Sequence, residues 1–228
     1  MHPSALSAAS LLVIAAAGFS PVLTAGDPCS GLDVRITDAS HDERTLVCHG
    51  VRQALHLLGR CAVEQKRAID VRILPEVRHP LAGPIFGFYD LKESYIAIAA
   101  YPNIIPLMRD TPYQGLSRRA FYTSLVVHEV VHSIMHQNQP RPIASQAMYE
   151  APAYALQIMS LSPRARAQLL AKFDSSRLNQ SKRLSDLILM FDPYFFAARA
   201  YHNFRTSTDV CADLTAAVNG GPGPAAQR

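Results

Sequence analysis

The chain lacks the marks of several protein classes. It has four cysteines but no Cys-x-x-Cys pair, which argues against a thiolate metal knuckle. No internal repeat recurs along it, so a solenoid or propeller is excluded. Its 22 Lys and Arg residues are scattered, with Arg118–Arg119 and Arg164/Arg166 the nearest approach to a cluster, so no nucleic-acid footprint is present. The net charge of +4 therefore reads as a solvated basic surface. After the N-terminal segment, no apolar run approaches the ~20 residues of a membrane-spanning helix. Core-forming residues are not lacking: 49% hydrophobic against 18% charged residues describes a globular chain and excludes a disordered one.

The N-terminus carries an address. Ser4 to Phe19 is an uncharged Ala/Leu-rich run, followed by Pro21 and by Leu23-Thr24-Ala25-Gly26. That layout predicts a secretory signal over residues 1–25, cut after Ala25. The remaining ~200 residues fit one domain, 26–218, ahead of a Gly/Pro-rich flexible tail at 219–228. The expected destination is the periplasm or the cell exterior, with no membrane contact once the signal is removed. Cys29, Cys48, Cys61 and Cys211 all lie beyond the cut, and an even number in an exported chain predicts two disulfides. A helix over 42–59 would set Cys48 and Cys61 ~20 Å apart, too far to bridge. A strand at 32–37 with that helix running back beside it brings the strand's start near the helix's end. The expected pairing is thus Cys29–Cys61 with Cys48–Cys211.

The pattern predicts strands first and helices second. Alternation marks a strand at 32–37, and Val71-Arg72-Ile73-Leu74 begins another. Residues 85–89 and 94–101 flank Asp90-Leu91-Lys92-Glu93 as a hairpin. Helices are expected at 117–137 with Ser117 as N-cap, then at about 143–160, 163–173, 182–190 and 193–204, the last capped by Asp192 with Pro193 in its first turn. The fold class is α+β: a small mixed sheet packed on one central helix, followed by a helical bundle.

The chemistry concentrates in His128-Glu129-Val130-Val131-His132. Residues four apart on a helix point nearly the same way, about 6 Å apart along the axis, so both imidazoles can converge on one Zn²⁺. Glu129 is turned aside by about 100°, out of coordination but within reach of a water on the metal. The flanking Phe121, Leu125, Val126, Val127, Ile134 and Met135 bury this helix. Two histidines and a glutamate there would be costly without a metal or a full set of hydrogen bonds. His136, a further turn along, would sit about 12 Å from His128 and cannot share the ion. Glu150, in Tyr149-Glu150-Ala151-Pro152-Ala153-Tyr154 on the next helix, is the better third ligand, because the short connection lets that helix fold back. Stabilising an oxyanion falls to Tyr201 and His202 by residue type, although a packed aromatic face explains them equally well. The strand over 94–101 precedes the zinc helix and offers a candidate edge for an extended peptide, with a plain sheet edge or an interior strand an equal alternative.

A His-Glu-x-x-His helix followed at this distance by a Glu on a second helix resembles the gluzincin branch of zinc metallopeptidases. The wider layout is similar to a group of exported bacterial zincin-like proteins. It comprises a Gly-Phe-Tyr-Asp hairpin, Tyr-x-Ser-Leu-x-x-His-Glu-x-x-His, Glu-x-x-Ala-Tyr, Phe-Asp-Pro and Ala-Tyr-His-x-Phe. The resemblance implies a zincin-like fold with His128, His132 and Glu150 as zinc ligands, Glu129 as base, and peptide-bond hydrolysis of a peptide or protein substrate. The alternative is a catalytically silent binding module that keeps a zinc site. Two positions depart from the pattern. Tyr154 stands where gluzincins often carry an Asp that orients the first His, and Pro152 falls inside the ligand helix. The metzincin pattern is excluded, since Met135 and Asn138 occupy its Gly and third-His positions.

Overall fold

The computed structural model describes residues 27–80, 83–140, 145–179 and 183–219. The expected signal segment 1–25 and the tail beyond residue 219 fall outside these. Six strands and nine α-helices occur among the described residues: β1 (Val34–Thr37), α1 (His41–Gly59), β2 (Ile69–Leu74), β3 (Val77–His79), β4 (Gly83–Ile85), β5 (Gly87–Asp90), β6 (Tyr95–Ala99), α2 (Ile104–Met108), α3 (Arg118–Asn138), α4 (Gln146–Ser160), α5 (Pro163–Leu170), α6 (Ser175–Asn179), α7 (Asp186–Phe191), α8 (Pro193–Thr206) and α9 (Val210–Val218). The chain is α+β, with a small mixed sheet preceding most of the helices.

The main sheet runs β1-β2-β6-β5. β1, β2 and β6 are parallel, and β5 closes one side antiparallel to β6. The β5–β6 hairpin turns because the Asp90 carboxylate accepts from the backbone N–H groups of Lys92 and Glu93, at 2.9 and 2.8 Å, replacing ladder bonds. One detail differs from the sequence reading: Ile85 does not join that hairpin but pairs, within β4, with β3 as a separate two-stranded ribbon. The strand at 95–99 is interior, between β2 and β5, so the sheet's edge nearest the central helix is β5. Strand β6 reads as an edge only if 71–74 is left unpaired with it. The long crossover from β2 through the β3–β4 ribbon is what inserts it.

Helix α3 is the centre of the molecule. Every residue from Phe121 to Met135 is buried, which its unbroken apolar spacing required. Ser117 caps it by accepting from the Ala120 N–H at 3.1 Å. Helix α1 crosses α3 at Gly50, where a Cβ would stand 2.6 Å from Val126 Cβ and 2.9 Å from the Thr123 carbonyl oxygen. Only glycine allows that approach. Helix α4 packs back on α3, continuous through the buried Pro152.

The N-terminus of α1 is tied to the sheet by one carboxylate. Glu43 accepts from the Ser40 N–H at 2.8 Å and its hydroxyl at 2.6 Å, while its other oxygen accepts from the Tyr101 N–H at 2.8 Å. Burial pushes the Glu43 carboxyl up, but these hydrogen bonds more than offset that and hold it below the usual carboxylate range. A depressed folded value means stability that is present above the unfolded value of about 4.3 and lost as pH falls through the folded one. Glu43→Gln is accordingly expected to cost about 1–2 kcal/mol at pH 7 and to flatten the acid limb below pH 4. Urea unfolding across that pH range checks it, and an unchanged acid limb would contradict it.

The disulfides correct the expected pairing. Cys29 bonds Cys48 and Cys61 bonds Cys211, with Cα–Cα separations of 5.1 and 4.9 Å. The segment before β1 is not extended. It turns at residues 28–31 and is held on α1 by Arg52, whose guanidinium donates to the carbonyls of Pro28 and Ser30. Cys29 therefore meets the middle of α1, one turn before Arg52, and not its end. Cys61, just past α1, is left for Cys211 in the first turn of α9. No described helix is long and apolar enough to cross a membrane.

Candidate metal centre

Three donor atoms from two helices meet beside β5. His128 Nε2 and His132 Nε2, from consecutive turns of α3, are 3.1 Å apart. Glu150 Oε2, from α4, lies 3.3 Å from the first and 3.5 Å from the second. A tetrahedral ion with bonds near 2.1 Å holds neighbouring ligand atoms about 3.4 Å apart, so the spacing and donor types suit Zn²⁺. His128, His132 and Glu150 form the one such group found among the described residues. Both imidazoles are buried, at 7% and 3% exposure, which makes an unliganded pair of ring nitrogens costly there.

The surroundings hold each ligand differently. Gln146, one turn before Glu150, donates to the carboxylate's other oxygen at 3.1 Å. Burial pushes the Glu150 carboxyl up, yet the two imidazoles outweigh it and keep it well below the usual carboxylate range. The histidines have no hydrogen bond at Nδ1, although both Nδ1 atoms are buried. Two tyrosines from the ligand helix fix the rings instead. Tyr149 stacks on His132 with centroids 4.2 Å apart and an interplanar angle of 19°. Tyr154 sets an edge-on contact with His128 at 4.5 Å. An aromatic cradle takes the place of the hydrogen-bonding carboxylate that usually orients a ligating imidazole.

Glu129 does not join the three. It is 3% exposed and lines the same cavity, against β5. A Cβ at Gly87 would lie 2.7 Å from the Ala97 carbonyl oxygen of β6 and 3.3 Å from Glu129 Oε1, so the close pairing with β6 requires glycine there and the carboxylate fits closely against it. Burial, opposed by His128 and aided by Glu150, pushes the Glu129 carboxyl up to about 7. A carboxylate so placed can exchange a proton near neutral pH.

The cavity encloses about 590 Å³ between β5, α3, α4 and the α7–α8 junction. Among the described residues, no Lys, Arg or Asp lines it. Its lining leaves out two residues considered for the oxyanion. Tyr201 and His202 are not among the lining residues. Tyr194 is, at the start of α8, but Tyr201 lies seven residues and about 10 Å further along that helix, where its ring packs against the Arg166 guanidinium of α5. Conversely, sequence reasoning gave no role to Gly87, Gln146 or Tyr194. The one available signal was Tyr154, four residues after Glu150 and on its helical face, with Tyr149 beside it. His136 stands apart, as its spacing required, accepting or donating at 2.8 Å with the Tyr89 hydroxyl of β5.

Compared with known proteins, residues 34–222 match the model of a family of unknown function, DUF6639. No curated protein and no solved structure matches the chain.

Proposed function

Since the chain belongs to the DUF6639 family, its activity has to rest on its own residues, and we propose that it is an exported zinc metallopeptidase of the zincin type. Zn²⁺ is held by His128, His132 and Glu150, and the resemblance to gluzincins gives Glu129 the role of general base. The reading is carried by the separations of 3.1, 3.3 and 3.5 Å among three ligand atoms, with an uncoordinated buried carboxylate beside them. A structural zinc site closes all four positions with protein ligands and has no use for Glu129. Two disulfides fit an exported protein, which favours the periplasm or the exterior of a bacterial cell.

Zinc, when bound, supplies a Lewis acid that polarises a carbonyl and makes a water more acidic. Glu129 accepts the proton of the attacking water at a carboxylate oxygen and passes it to the leaving amine as the C–N bond breaks. β5 offers the substrate an edge: no described strand pairs with its outer side, leaving backbone N–H and C=O groups for an extended chain. Glu129 is 3% exposed, and a carboxylate so withdrawn from bulk water interacts more strongly with a proton in transit.

The second reading, a zinc-holding binding module without turnover, is favoured by two observations. Tyr154 replaces an orienting carboxylate, and both Nδ1 atoms go without a partner. Turnover separates the two. The purified chain loaded with zinc is expected to cleave an unstructured protein, to stop on chelation, and to resume on adding zinc back. Cleavage that survives chelation, or no cleavage by the fully loaded chain, would overturn the peptidase reading.

A further inference from the structure

The exposed large apolar side chains are not spread over the surface. Among the described residues they are Leu91, Ile105, Leu187, Met190 and Phe191, and all but Ile105 stand on two elements that frame the metal cavity. Leu91, 51% exposed, follows β5 and lines the cavity from one side. The others belong to α7, whose Leu189 lines the cavity from the opposite rim. Leu187, Met190 and Phe191 are 62%, 69% and 76% exposed and recur at i, i+3 and i+4, the spacing of a single helical face.

That face is held outward by the rest of α7. The Asp186 carboxylate at its start accepts from the Ala147 N–H at 2.6 Å and the Ser145 hydroxyl at 2.7 Å, thereby capping the helix that carries Glu150. Ile188 and Leu189 pack inward against the core. The exposed face is thus rigidly positioned beside the metal centre. Soluble domains seldom leave an apolar cluster uncovered without a use for it.

We propose that these two apolar rims select the substrate: an extended polypeptide segment bearing large aliphatic or aromatic side chains on both sides of the bond presented to His128, His132 and Glu150. This rests on the peptidase reading and adds its substrate class. Three observations point to a chain of that chemistry. Met190 and Phe191 lie outside the lining of the 590 Å³ cavity, so a ligand that reaches them is longer than a small molecule the cavity holds. β5, next to Leu91, has an unpaired edge among the described residues, which an extended backbone can use. Among the described residues, the lining has no Lys or Arg to neutralise an acidic side chain.

The test uses zinc-loaded protein carrying Glu129→Gln, which holds substrate without cleaving it, and two fluorescent unstructured peptides of equal length. One bears Leu and Phe around its central bond and the other Asp and Ser. Fluorescence anisotropy is expected to show the apolar peptide binding at least tenfold more tightly. Adding Met190→Asp with Phe191→Asp should remove that preference while leaving the metal content and thermal midpoint unchanged, since both side chains are exposed. Equal binding of the two peptides, or a preference that survives the double substitution, would overturn the proposal. So would a parent protein that sediments as a dimer and becomes monomeric on the substitution, because a second copy would then be the occupant. If selective binding holds but the parent does not cleave the bound peptide, the rims stand and the peptidase reading falls.

Discussion

Glu129→Gln is expected to leave the metal in place and to lower hydrolysis of an unstructured polypeptide by two to four orders of magnitude, the usual worth of a positioned general base. The substitution keeps the shape of a side chain that is 3% exposed and fitted against Gly87, so packing is preserved. It removes the proton acceptor and nothing that coordinates, because Glu129 stands outside the His128–His132–Glu150 group. The split between retained metal and lost turnover is the informative part. Single-turnover cleavage assays alongside metal content check it. A variant that cleaves as fast as the parent would remove Glu129 from the chemistry, and one that loses metal would place it among the ligands.

The second large effect concerns the two disulfides, which span very different lengths of chain. Cys61 and Cys211 are 150 residues apart, and Cys29 and Cys48 only 19. In the chain-entropy picture, removing the first cross-link destabilises by about 5 kcal/mol and the second by about 3 kcal/mol. The longer one also anchors α9, the last helix, to the end of α1. Replacing Cys61 and Cys211 by Ser is therefore expected to reduce stability markedly more than replacing Cys29 and Cys48, as measured by urea unfolding of the two double variants. Equal losses would mean that the unfolded chain is held compact by other contacts, or that the pairing differs.

Legibility in the sequence followed the strength of local signals. α3 was readable because an unbroken apolar face starts at a serine cap, and α8 because Asp192 and Pro193 mark its first turn. The His128–His132–Glu150 convergence followed from helical spacing and a short connection. What escaped depended on tertiary contacts. β3 and β4 have three residues each, too few for an alternation to register, and they split Ile85 from the hairpin. α2 and α6 are five residues long and carry no full period. The disulfide pairing turned on a coil before β1, where Arg52 holds backbone carbonyls, a contact without any local signature. Tyr201 was assigned by residue type and late position, whereas the cavity takes only the first turn of α8. The tyrosine cradle was written in the residues around Glu150, but aromatic side chains on an Ala-rich helix read as ordinary packing until His132 is found 4.2 Å beneath one of them.

Whether two helices share one divalent ion is decided by metal analysis of the purified protein. The parent is expected to hold close to one zinc per chain, and His128→Ala and Glu150→Ala to lose it while both variants keep the parent's circular dichroism. Folded parent protein that takes up no zinc at micromolar concentration, or a Glu150→Ala variant that retains it with undiminished affinity, would contradict a shared ion.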